Sequence, residues 1–150
     1  MLVEEKDLIG PISSDTMNPL HLIPIFAVFY TKVTGKELAA KLYHLDETDL
    51  LTEEELAGEI DDLYDLLNEI APPYSYFGAN EDDGACFGFW PLIDSIQDDV
   101  RNEELLTKDK VDIGQEAVRT GQYVADINER GNVTLYRVKE IVLEEIWSIV

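Results

Sequence analysis

Between Lys41 and Arg101 the chain has no lysine or arginine, while it places 17 aspartates and glutamates there. No lysine or arginine within that stretch is there to pair with its carboxylates. Whatever it folds into must bury its apolar side chains on one side and turn its carboxylates to water. The stretch carries -17 of a formal net charge of -21 in 150 residues, and residues 1–45 carry only -1. A surface this anionic excludes nucleic acid and anionic membranes as direct partners, because both are held by basic footprints. Basic proteins and cations remain.

An apolar fraction of 45% is enough for a buried core, and the length suits a single domain spanning 1–150. The N-terminal MLVEEKDLIG is acidic where a signal peptide is basic. The most apolar run, Leu22–Tyr30, is about half of a bilayer span. The expectation is a cytoplasmic protein without a membrane segment. Cys86 is the single cysteine, so no internal disulfide forms.

Local signals predict the elements. Asn18-Pro19 suits a helix start, and the apolar pattern continues to about Val33, with Pro24 as a kink and Gly35 as a stop. Lys36–Leu45 reads as a second, short helix. Thr52-Glu53-Glu54-Glu55 has the form of a capping box, and the helix it opens should reach Ile70, ahead of Pro72-Pro73. Leu56, Ile60, Leu63, Leu67 and Ile70 make one apolar stripe on it. At 100° per residue Glu54, Glu55, Asp61, Asp62, Asp65 and Glu69 fall opposite, within an arc of about 120°.

After the prolines, Tyr74–Ala79 and Cys86–Trp90 flank the turn Asn80-Glu81-Asp82-Asp83-Gly84 and read as a hairpin. Pro91 opens a helix through Leu92, Ile96 and Val100. Residues 101–115 are polar and read as loop. Gln122–Ile127 and Val133–Val138 read as strands about Gly131. Glu144–Val150 reads as a last strand, with Ile146 and Ser148 facing away from Trp147 and Ile149. Helices first and strands afterwards give an α+β fold, N-terminal helices packed on a small antiparallel sheet of hairpin plus C-terminal meander.

The acidic helix is not what stability alone would select. Acid pairs at i,i+4 (Asp61–Asp65, Asp65–Glu69) cost a few tenths of a kcal/mol, and acids in the last turn oppose the helix dipole. Eight carboxylates on a helix about 27 Å long give one charge per roughly 3.4 Å, the spacing along one strand of B-DNA. The candidate partner surface is therefore Glu54, Glu55, Asp61, Asp62, Asp65 and Glu69, joined by Asp82, Asp83, Asp98 and Asp99 nearby in sequence. A solvated face without a specific partner uses the same residues.

Chemistry has fewer handles. The loop about Gly84 fails the calcium-loop template, since positions 1 and 12 would be Ala79 and Trp90, so no metal or cofactor is expected. No HExxH, GxSxG or phosphate-loop pattern occurs, and Cys86 sits among aromatics as a small buried residue does. A non-enzymatic protein is the expectation. The alternative is a small-molecule binder or enzyme built on the aromatic hairpin 74–90, with Tyr76, Phe87 or Trp90 lining a cleft. A third is a homo-oligomer formed through its aromatic edge.

Several runs carry a resemblance: Thr16-Met17-Asn18-Pro19 with Leu22-Ile23-Pro24, Ala71-Pro72-Pro73-Tyr74, Tyr76-Phe77-Gly78-Ala79, Phe87-Gly88-Phe89-Trp90-Pro91, Gly131–Tyr136 and Glu145-Ile146-Trp147. In this order they resemble a family of small acidic proteins of bacteriophages, plasmids and other mobile elements. Asp82 departs from the glycine expected before Asp83-Gly84, and residues 101–120 have no counterpart. The resemblance implies a mobile-element origin and no particular activity. By analogy of context and charge, it points to a DNA mimic that occupies a basic, nucleic-acid-binding or defence protein of the host.

Overall fold

The computed structural model describes residues 1–111, 119–139 and 142–149. The fold is α+β. The chain divides into two compact units. The first comprises Met1–Glu4, Leu8–Ala71 and Ser75–Trp90, and the second comprises Glu5–Asp7, Pro72–Tyr74 and Pro91–Val150.

In the first unit, helix α1 (Pro19–Thr34) begins where the sequence places it. The Asn18 side chain accepts from Leu20 N–H at 3.0 Å, and Pro19 occupies the first turn, where a missing N–H costs nothing. The helix continues through Pro24 and stops at Gly35, whose φ of 75° is left-handed and whose N–H reaches Thr31 O at 2.8 Å. The second helix is shorter than its pattern suggests: α2 covers only Ala40–Tyr43. The Tyr43 hydroxyl binds back to Leu38 N–H at 2.6 Å and to Thr31 Oγ1 at 2.7 Å, which fixes the approach as a turn.

Helix α3 (Glu53–Glu69) has Thr52 as its cap, Oγ1 accepting from Glu55 N–H at 3.1 Å. Only this half of the capping box forms. The Glu55 carboxylate accepts from the Thr52 hydroxyl. Ile60, Leu63 and Leu67 are buried, as the stripe requires. They meet α1 and a three-stranded sheet ordered β1-β3-β2, formed by β1 (Gly10–Ser13), β2 (Ser75–Ala79) and β3 (Phe87–Pro91). Phe26 of α1 stands edge-on to Phe77 at 5.0 Å and to Phe87 at 5.7 Å, and Tyr64 of α3 lies 5.6 Å from Phe77. Strand β1 was hidden by its Gly-Pro start. It forms through pairing with β3, in which Pro11 faces Gly88.

The second unit has its own core. Helix α4 (Ile93–Arg101) buries Ile96 completely. Its sheet is ordered β4-β5-β6-β7, from β4 (Leu106–Thr107), β5 (Tyr123–Ile127), β6 (Val133–Lys139) and β7 (Val142–Ile149). Hairpin and meander thus belong to separate sheets rather than one. The second sheet is not wholly antiparallel either, because β4 runs parallel to β5. That short strand arises inside the stretch read as loop, next to the buried Leu105. Residues 112–115 of that stretch and Val150 lie outside the described residues. Gly131 has φ 80°, and Asn128 Oδ1 holds the β5–β6 turn through Arg130 and Asn132 N–H.

The expected alternation in the last strand fails for a defined reason. Leu135 pairs with Trp147 but Tyr136 pairs with Glu145, so Ile146 is the extra residue of a bulge. Ile146 and Trp147 consequently both bury completely.

Candidate functional site

Glu54, Glu55, Asp61, Asp62, Asp65 and Glu69 are all exposed along α3, opposite its buried stripe. Among the described residues no lysine or arginine pairs with any of the six. Lys41 Nζ does pair with Glu59 of this helix at 3.1 Å, at its flank. Among the described residues no cation neutralises the outward arc, so it presents a row of carboxylates whose field is limited chiefly by salt.

The helix is held in place by a residue the sequence reading passed over. Asn68 Oδ1 accepts from Phe77 N–H at 2.9 Å, and its Nδ2 donates to Phe77 O at 3.2 Å and to Tyr64 O at 3.0 Å. Strand β2 is an edge of its sheet, and the Asn68 amide serves Phe77 as a neighbouring strand would. A poor helix former in the last turn of an amphipathic helix was the available signal.

Asp82 and Asp83 lie in the same unit, in the loop joining β2 to β3, and both are exposed. Asp83 also shapes that loop, Oδ1 accepting from Ala85 N–H at 3.0 Å, while Asn80 Oδ1 accepts from Asp82 N–H at 2.9 Å. These are turn bonds of the kind Asn and Asp supply.

Asp98 and Asp99 differ from the rest. They sit on α4 in the second unit, and both have partners. Asp98 pairs with Arg101 at 2.8 Å, and Asp99 Oδ2 accepts from the Tyr74 hydroxyl at 2.6 Å. Asp99 is a structural acceptor. Tyr74 takes a left-handed φ of 56°, unfavourable for an aromatic residue. Its carbonyl accepts from Leu92 N–H at 2.8 Å, so two bonds hold the strained residue.

Burial, with the Asp99 hydrogen bond adding to it, pushes the Tyr74 phenol up to about 12. In the unfolded chain it would ionise near 10. A pKa raised by folding gives stability that is complete below pH 10 and is lost as pH climbs from about 10 to about 12. In an alkaline titration followed by phenolate absorbance, one tyrosine missing from Tyr74→Phe is therefore expected to ionise late. If wild type and variant show the same late component, Tyr74 is not its source.

The aromatic hairpin is largely engaged with the protein itself. Phe77, Phe87 and Phe89 are buried, Trp90 Nε1 donates to Gly78 O at 2.9 Å, and the Tyr76 hydroxyl donates to Ala79 O at 3.1 Å. The three phenylalanines fill a core, while Tyr76 and Trp90 are half-buried with their polar atoms turned to backbone carbonyls. Among the described residues no three His, Cys, Asp or Glu side chains converge as metal ligands would, and none of their helices is long and apolar enough to cross a membrane. Compared with protein-family models, curated proteins and solved structures, the chain matches none.

Proposed function

We propose that the carboxylate face of α3 binds a basic, nucleic-acid-binding protein, its side chains standing where phosphates would lie. The observation that carries this is the set of six exposed acids on one helix face, none of them paired with a lysine or arginine among the described residues. Asp82 and Asp83 belong to the same unit as this helix, whereas Asp98 and Asp99 lie in the second unit and are already engaged by Arg101 and Tyr74. The resemblance to small mobile-element proteins supports a host protein as the target, and a role in blocking host defence fits that origin. The protein acts by occupancy, without catalysis or cofactor.

The test uses the whole protein, immobilised and exposed to bacterial lysate at low and moderate salt. Nucleic-acid-binding proteins should be retained, released by competing duplex DNA, and bound at least tenfold more weakly at the higher salt. Recovery of none at either salt would sink the reading. The variant Asp65→Lys sharpens it. Turning two i,i+4 repulsions, with Asp61 and with Glu69, into attractions and complementing the dipole should stabilise the protein by about 0.5–1.5 kcal/mol, while retention of the partner falls. A variant that is more stable and binds equally well would assign the face to solubility alone.

A further inference from the structure

We propose that Leu50 is an apolar anchor for the partner of the α3 face, and that this partner carries an apolar pocket beside its basic surface; the inference rests on the function proposed above. Leu50 is 88% exposed, the most of any large apolar side chain among the described residues. Ile25 and Val28, which give α1 a second apolar face, reach 38% and 53%. Single exposed leucines are common, and exposure alone would mean little. The Leu50 backbone, however, is left-handed, with φ 51° and ψ 36°, a conformation that glycine takes readily and a bulky side chain does not. The other described non-glycine residues with positive φ are Asp15 and Glu103, polar and suited to water, and Tyr74, which two hydrogen bonds hold. Only Leu50 combines a strained backbone with an apolar side chain left in water.

The turn keeps it there from both sides. Asp46 and Asp49 form a complete capping box about the short 3-10 turn Glu47–Asp49. Asp49 Oδ2 accepts from Asp46 N–H at 2.8 Å, and Asp46 Oδ1 accepts from Thr48 N–H at 2.8 Å. On the other side Leu51 packs against the core and Thr52 caps α3. Residues held in strain by fixed surroundings cluster at ligand contacts.

Charge selects the occupant. Asp46, Glu47, Asp49, Glu53, Glu54 and Glu55 flank Leu50, all of them exposed. A second copy would bring the same carboxylates against these, and an anionic bilayer would repel them. A cationic protein is attracted, and Glu54 and Glu55 belong to the α3 face proposed to hold one. An apolar contact within a charged rim is the usual anatomy of a protein interface. The carboxylates steer and orient the encounter, and the leucine adds affinity that salt does not screen. A phosphate backbone offers no branched alkyl group, so this contact distinguishes the protein from the DNA it displaces.

Leu50→Gly removes the side chain and relieves the backbone, and Leu50→Asn does the same with a second residue that tolerates this conformation. Both should fold with thermal midpoints no lower than that of the wild type. Poly-lysine, a cation without an apolar pocket, should bind wild type and variants alike. The nucleic-acid-binding proteins that the wild type retains from bacterial lysate, and that duplex DNA releases, should bind both variants about tenfold or more weakly. The salt dependence of that binding should not change, and Leu50→Met should restore it. Retention equal to wild type in Leu50→Gly and Leu50→Asn overturns this inference and leaves the function proposed above standing. Retention of no such protein by the wild type overturns both. A lower thermal midpoint, or weaker poly-lysine binding in the variants, would make Leu50 a structural residue and also overturn the anchor.

Discussion

Replacing Gly88 with alanine is expected to cost about 3 kcal/mol or more of stability, a large share of what holds a small protein folded. A Cβ at Gly88 would run into the Gly10 carbonyl and stand 2.7 Å from Pro11 Cα. Both obstacles are backbone, so no side chain can rotate away. Either β1 must leave its pairing with β3, or the β3 backbone must shift beneath Phe87 and Phe89, which are buried in the core. Overpacking usually costs 1–3 kcal/mol when side chains can adjust. The upper end or beyond is expected where they cannot. Gly78→Ala is the control, since its Cβ would meet only the Tyr76 ring, at 3.4 Å. Urea unfolding followed by circular dichroism measures both, and equal midpoints would refute the close approach of β1.

Trp147→Ala is expected to be as damaging in the second unit. Trp147 is fully buried, and its Nε1 donates to Pro73 O at 3.0 Å. Truncating a buried aromatic to alanine costs about 3–5 kcal/mol. It also leaves the Pro73 carbonyl without its indole donor, a further loss of about 1 kcal/mol. Trp147→Phe keeps most of the ring and removes the donor, so about 1–3 kcal/mol is expected. Trp90, in the first unit, is then the sole tryptophan and reports that unit by fluorescence. Thermal denaturation with an unchanged midpoint in Trp147→Ala would show that the ring is not core.

The bulge explains why Trp147 and its neighbour were misassigned to opposite faces. A strand's period of 2 is a local rule, and one inserted residue resets it. Ile146 takes that place because Leu135 and Tyr136 pair across it, which nothing in Glu144–Ile149 announces. The same limit applies to β1. Gly and Pro lower strand propensity, and Gly10–Ser13 becomes a strand only because β3 lies beside it. Elements that close on themselves were legible. Asn18, Gly35, Thr52 and Gly131 act through bonds to residues a few positions away, so their signals are complete within the sequence.

The candidate surface divides along the same line. Helical phase is local, and it placed Glu54, Glu55, Asp61, Asp62, Asp65 and Glu69 on one outward face that the structure exposes. Proximity in sequence suggested that Asp98 and Asp99 belonged with them. They fall in the other unit, tied to Arg101 and Tyr74.

The sequence by itself determined the charge of this protein, its segregation into a base-free stretch, and the side of α3 on which it is displayed. Those follow from composition and a 3.6-residue repeat. Only the tertiary structure decided that the chain forms two sheets, that Asn68 completes the edge of one of them, and that α1 keeps a second apolar face in water. Each of these depends on contacts between residues far apart in the chain, where pairing and packing override local preference.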